Sequence, residues 1–126
     1  MMLIEMCTGK IHRATVTQAE LNYVGSITID RTLVEAAGMR EFQKVTITNL
    51  ANGMLWYTYV MLGDAGSGTI CLNGPPAHHF TPGDIVIILA YAQVTPEEAS
   101  SITPMLVFVD EKNKITKVEK HPAPAA

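Results

Sequence analysis

The sequence predicts a mainly β domain with short helices, on three observations. Alternating or continuous runs of β-branched and apolar residues recur at Met2–Cys7, Ile11–Val16, Lys44–Leu50, Leu55–Leu62, Thr69–Leu72, Ile85–Val94 and Met105–Val109. Gly, Pro, Asn or Asp separate most of these runs, and such residues end strands by accepting positive φ or by lacking an N–H donor. At 126 residues the chain is the size of one ordinary domain.

Taken in order, the runs from Met2 and Ile11 flank Thr8-Gly9-Lys10, and on a strand Lys10 and His12, at i and i+2, share one face that Thr8 would extend. Asp30 is placed to cap a helix over Arg31–Ala37 that ends at Gly38. The Lys44 and Leu55 runs flank Asn52-Gly53, a strong hairpin signal. Thr95-Pro96-Glu97-Glu98 reads as a capping box with proline at the first helical position. After Asp110 the apolar pattern weakens, and residues 121–126 are expected to form a disordered tail behind a single domain over 1–120. Many short strands with two helices fit a small barrel or a sandwich, and composition does not choose between them.

The apolar fraction of 48% against 17% charged residues is rich for so small a domain, so partner subunits are expected to cover part of the surface. A net charge of −3 with no basic run argues against nucleic acid. The N-terminal stretch has neither the length nor the order of a signal peptide, no run approaches membrane-spanning length, and Cys7 and Cys71 lack CxxC spacing; a cytoplasmic protein is expected. No metal is assigned, because His78 and His79 stand without a carboxylate or cysteine cluster, and in an extended segment would face opposite ways. Gly63–Thr69 lacks the lysine of a phosphate-binding loop and reads as a hairpin loop.

The most informative dipeptide is Gly25-Ser26, within Leu21–Asp30. A serine hydroxyl can attack the carbonyl of a preceding glycine, which has no Cβ to block the approach. The amide becomes an ester, loss of the Ser26 Cα proton eliminates it to a dehydroalanine, and hydrolysis leaves a pyruvoyl group on the new N-terminus. A second such pair, Gly66-Ser67, is an ordinary turn. The first is distinguished by its company: Gly9–Thr17, Tyr23–Ser26, Ala36–Gly38, Asn52-Gly53 with Thr58-Tyr59, Asn73-Gly74 with Ala77-His78, and Gly83–Ile88. In order and spacing these stretches resemble the pyruvoyl-dependent aspartate 1-decarboxylase family along nearly the whole chain.

The resemblance implies a six-stranded double-psi β-barrel, a homotetramer with sites at subunit boundaries, and self-cleavage into 1–25 and 26–126, with room for an accessory maturation factor. The cofactor would be the pyruvoyl group derived from Ser26, whose ketone forms an imine with the substrate amine and withdraws electrons as carbon dioxide leaves. The product from aspartate would be β-alanine for pantothenate synthesis. Among site residues, the resemblance assigns Lys10 to the remaining substrate carboxylate, His12 to the lining, Thr58 to positioning the Gly25 carbonyl, Tyr59 to reprotonation, and Asn73 to a hydrogen bond near the pyruvoyl group.

Two stretches depart from the family pattern. Leu55 stands where the family carries an arginine, and an apolar side chain cannot imitate a guanidinium on a carboxylate. With Met54 and Trp56 it suggests an apolar amino acid as an alternative substrate, unless Arg13 or Arg40 supplies the charge. Gly74-Pro75-Pro76 replaces small alanines, which removes two backbone donors from the substrate-binding region. A third reading, from another class, is a barrel that binds a small molecule without chemistry.

Overall fold

The computed structural model describes residues 1–121. Nine strands, β1 (Ile4–Thr15), β2 (Gln18–Glu20), β3 (Ser26–Asp30), β4 (Lys44–Asn49), β5 (Leu55–Gly63), β6 (Ile70–Asn73), β7 (Ile85–Val94), β8 (Met105–Val109) and β9 (Ile115–Lys120), are joined by helices α1 (Arg31–Ala36) and α2 (Pro96–Ala99) and a 3-10 turn at Pro75–His78. They hydrogen-bond in the order β2-β6-β3-β5-β4-β7-β1-β8-β9. The mainly β class is as expected; the expected six strands are not what the pairing gives, because the sheet has nine and keeps β2 and β9 as edges.

The differences from expectation have local causes. The runs from Met2 and Ile11 are one strand, since a bulge between Cys7 and Gly9 absorbs the break and the pairing with β7 resumes. Glycine is required there: a Cβ on Gly9 would sit 2.1 Å from the Ala37 carbonyl oxygen. That contact seats β1 on the end of α1. β2 is three residues long, and β9 is an edge strand with most side chains exposed, so neither carries a strong apolar alternation. The Asn52-Gly53 loop spans residues 50–54 and only Gly53 takes positive φ, at 72°; the Gly53 N–H donates to Asn49 and the Asn49 N–H to Met54. His78 and His79 lie at the end of the 3-10 turn, so the opposed orientation that an extended segment would give them does not apply. Of the expected tail only His121 is described, and its N–H donates to the Pro104 carbonyl; residues 122–126 lie outside the described part.

Both helices begin and end as their sequences direct. Asp30 accepts from the Thr32 N–H at the start of α1, and at its end Met39 N–H donates to Val34 while Gly38 N–H donates to Glu35, with Gly38 at φ 69°. This is a Schellman ending with glycine in the left-handed position. Thr95 and Glu98 form the reciprocal capping box of α2. The core gathers alternate residues of β1, β3, β4, β6 and β7, among them Ile11, Ile27, Ile29, Ile47, Leu72 and Ile88, with Leu33 and Phe80 closing it.

Candidate active site

Alternation along two paired strands builds the centre of the site. β3 and β6 run antiparallel with Ser26 opposite Asn73 and Thr28 opposite Cys71. Ile27, Ile29, Ile70 and Leu72 are fully buried in the core, so the period of two puts Ser26, Thr28, Cys71 and Asn73 together on the other face. Ser26 and Asn73 are buried there too. The Asn73 side-chain amide donates to Ser26 Oγ at 2.9 Å and to Thr28 Oγ1 at 3.0 Å, and the Cys71 thiol donates to Asn73 Oδ1 at 3.3 Å.

Gly74 follows at φ 80°, ψ −146°, a region open essentially to glycine alone. A Cβ at this position would lie 3.1 Å from Gly25 Cα and 3.2 Å from the Tyr23 carbonyl oxygen, so Gly74 lets the 21–25 loop pass close by. Gly25 itself is not in the left-handed region, and a Cβ there would meet nothing nearer than the Asn73 carbonyl at 3.9 Å. Packing therefore leaves open space beside the Gly25 Cα. Pro75 and Pro76 occupy the first positions of the 3-10 turn, where an N–H has no partner within the turn, and the Ala77 N–H is taken up by the Gly74 carbonyl.

β5 lies parallel to β3 with Ile27 beside Val60; one step back in that register sets Ser26 level with Tyr59, and Thr58 precedes Tyr59 on β5. Both β5 side chains are partly exposed. Along the same strand Leu55 is 48% exposed, whereas Met54 and Trp56 pack against the core. The three residues suggested to line an apolar substrate pocket are thus split between faces.

Lys10 and His12 share a face of β1, opposite the buried Ile11. Three strands, β5, β4 and β7, separate β1 from β3 in the sheet. The His12 ring meets Phe108 edge-on at 5.5 Å, and its Nδ1 is buried with no hydrogen-bond partner. Burial, with the charges of Lys10 and Arg13 behind it, lowers the His12 pKa and favours the neutral ring. Arg13, at a second bulge with φ 60°, lines a groove with Asp110 and Glu111. The chain therefore brings Ser26, Thr28, Asn73, Gly74 and the Gly25 backbone together, sets Thr58 and Tyr59 alongside, and holds Lys10 and His12 on another strand pair. Thr28 and Cys71 were passed over in the sequence, although Ser26-Ile27-Thr28-Ile29 and Ile70-Cys71-Leu72-Asn73 carry the alternation that announces them.

The loop 64–69 is tied down by Asp30, which accepts from the N–H groups of Gly66, Gly68 and Thr32. Burial raises the pKa of this carboxyl, and the three backbone donors outweigh it, so the net shift is downward. Among the described residues no group of three His, Cys, Asp or Glu side chains is placed to hold a metal, and no helix is long and apolar enough to cross a membrane.

Comparison with known proteins bears on the same residues. The aspartate decarboxylase family model matches residues 2–116. The aspartate 1-decarboxylase of Ruminiclostridium cellulolyticum is 57% identical over 123 residues, covering 95% of this chain and 96% of its own. That of Lactiplantibacillus plantarum is 56% identical over 95% of both chains, and that of Caldicellulosiruptor saccharolyticus 57% identical over 93% of this chain and 91% of its own. With a match of this extent, this chain belongs to the aspartate decarboxylase family.

Proposed function

We propose that the protein is a self-processing aspartate 1-decarboxylase, converting L-aspartate to β-alanine and carbon dioxide with a pyruvoyl group made from Ser26. The observation that carries this reading is the buried Ser26 hydroxyl, bonded by Asn73 and preceded by a glycine with open space beside its Cα. The site fits the group: Gly74 leaves the space that a Cβ would fill against Gly25, and the Asn73 N–H is a donor where a ketone and amide oxygen would need one. Once formed, the ketone supplies an electron sink for the bond that breaks. Tyr59, level with residue 26, is the chain's candidate to return a proton to Cα. Thr58, next to Tyr59 on β5, is the candidate to orient the Gly25 carbonyl for cleavage.

Aspartate is favoured over an apolar amino acid. Relatives above half identity carry the aspartate name, and Met54 and Trp56 face the core rather than joining Leu55. The non-catalytic barrel has no comparable support. Lys10 is the cation we assign to the substrate's second carboxylate, with His12 beside it on β1, and Leu55, Pro75 and Pro76 at the margin of the substrate region. Since β1 lies three strands from β3, we infer a homotetramer in which a neighbour completes each site. Tyr23, Val24 and Tyr57, each more than 60% exposed, are the apolar surface such a neighbour would cover. We further infer a single domain over 1–120 with a six-stranded double-psi core within the nine-stranded sheet, a cytoplasmic location, and a place in pantothenate synthesis.

The test is the intact mass of the purified chain after incubation alone, together with aspartate-dependent release of carbon dioxide. Fragments of residues 1–25 and 26–126, the larger blocked at its N-terminus, are expected. A chain that stays whole when incubated alone but splits when cell extract is added would point to a maturation factor, and one whole under both conditions would overturn the reading.

A further inference from the structure

The four small polar residues on the shared face of β3 and β6 form a square, Ser26 opposite Asn73 and Thr28 opposite Cys71. Asn73 is central to it. Each N–H of its amide goes to a hydroxyl, Ser26 Oγ or Thr28 Oγ1, while its oxygen takes the Cys71 thiol hydrogen. An amide in such a place has two orientations, and hydroxyls alone do not choose between them because they donate as well as accept. A thiol does choose. It is a donor with a poor acceptor atom, so it holds the amide oxygen toward itself and turns the NH2 group toward the hydroxyls.

We propose that Cys71, with Thr28, is a positioning residue that holds Asn73 as a hydrogen-bond donor to Ser26 and thereby sets the rate of self-cleavage. The inference rests on the reading of Gly25-Ser26 as a cleavage site. In the first step of that reaction Ser26 Oγ bonds to the Gly25 carbonyl carbon, the Gly25–Ser26 C–N bond breaks, and the hydroxyl proton ends on the Ser26 nitrogen. An N–H directed at Oγ stabilises negative charge as it develops there and leaves the hydroxyl proton free to depart. With the amide reversed, its oxygen would accept the Ser26 O–H and hold that proton in place. Burial, with the negative charge of Glu20 adding to it, raises the Cys71 pKa and keeps the thiol protonated at neutral pH.

Cleavage half-times of freshly unfolded and refolded precursor, read by denaturing electrophoresis, test the proposal. Cys71→Ala and Cys71→Val should slow cleavage by about threefold to tenfold, the worth of one neutral hydrogen bond, and Thr28→Val should slow it similarly. Cys71→Ser supplies a hydroxyl that accepts as well as donates, so it should cleave at a rate between those of Cys71→Ala and the wild type. Cys71→Val retains bulk without the donor, so slowing in both Val and Ala variants with partial rescue by Ser separates orientation from a cavity effect. Wild-type rates in Cys71→Ala and Cys71→Val would overturn the positioning role while leaving the cleavage site intact. An uncleaved wild type would instead overturn the cleavage site. The Asn73 side-chain amide signals in a 15N-labelled precursor give a readout independent of cleavage: one protected NH2 pair in wild type, a broadened or doubled pair in Cys71→Ala, and an intermediate pattern in Cys71→Ser. Identical signals in all three would also overturn the proposal.

Discussion

The face shared by β3 and β6 and the outer face of β1 carry the two halves of the proposed chemistry, and they are finished to different degrees. Around Ser26 the chain supplies its own partners: Asn73 bonds the hydroxyl, Thr28 and Cys71 bond Asn73, and Gly74 makes room for Gly25. On β1, Lys10 projects from a half-buried strand and the His12 Nδ1 is buried without a partner. A reaction between adjacent residues of one chain needs only that chain to position it. A substrate needs walls, and in the proposed assembly a sheet face left partly open would obtain them from a neighbour. The contrast predicts that mutations near Ser26 act on cleavage and those on β1 act on turnover.

The largest effect lies at the nucleophile. Ser26→Ala should leave a single chain with no decarboxylation above background, while its circular dichroism and assembly match the wild type. Appearance of two fragments from this variant would place the scissile bond elsewhere and remove the basis of the comparison.

Next in size is a pair of glycine substitutions that separates packing from chemistry. Gly74→Ala places a Cβ 3.1 Å from Gly25 Cα at a positive φ, and should cost about 2 to 5 kcal/mol from strain and overpacking together. Gly25→Ala meets no atom nearer than 3.9 Å, so its denaturation midpoint should stay close to wild type while its cleavage slows. Equal destabilisation by the two would show that the 21–25 loop is held more tightly than the contacts at Gly25 indicate.

Lys10→Ala sharpens the other side of the comparison. Cleavage should run at the wild-type rate, and kcat/KM for aspartate should fall by roughly one to two orders of magnitude, the worth of a charge-assisted hydrogen bond to a carboxylate. Fragment formation and steady-state carbon dioxide release, measured on the same preparation, check both parts. Slowed cleavage with unchanged turnover would exchange the roles of the two regions.

How far the sequence foretold these regions follows from where each signal is stored. Gly25-Ser26 and the Asp30 cap are neighbours in the chain, so they can be read directly. The capping box at Thr95 and Glu98 is likewise local, and both helices are found where their caps put them. The pairing of Ser26 with Asn73 joins residues far apart in sequence, and only the β3–β6 register reveals that Thr28 and Cys71 complete the square. Strand count was least legible at the margins: β2 is too short and β9 too exposed to carry a clear alternation, and the bulge at Gly9 merges two apparent strands into one. The split of Trp56 from Leu55 already follows from the strand read over Leu55–Leu62, since alternation along a strand opposes neighbours, and grouping the two in one apolar pocket ran against that signal.

The smallest expected effect belongs to Asp30, which ends β3 and anchors the neighbouring loop. Its carboxylate accepts from Gly68 and Gly66 on one side and Thr32 on the other. An asparagine keeps one acceptor oxygen but turns an NH2 group toward an N–H donor, so Asp30→Asn should lower stability by about 1 kcal/mol at neutral pH. The pH dependence gives the sign. The folded-state pKa lies below the ordinary aspartate value, so the stabilisation is fully present above the unfolded pKa and is lost as pH falls through the folded one. The gap in thermal midpoint between wild type and Asp30→Asn should therefore be constant at neutral pH and narrow on acidification below the ordinary aspartate range. A gap that widens as pH falls would mean that the carboxyl is held protonated in the fold. The loop would then be tied by a neutral acid, and the cleavage face would owe less of its rigidity to charge than its three backbone donors imply.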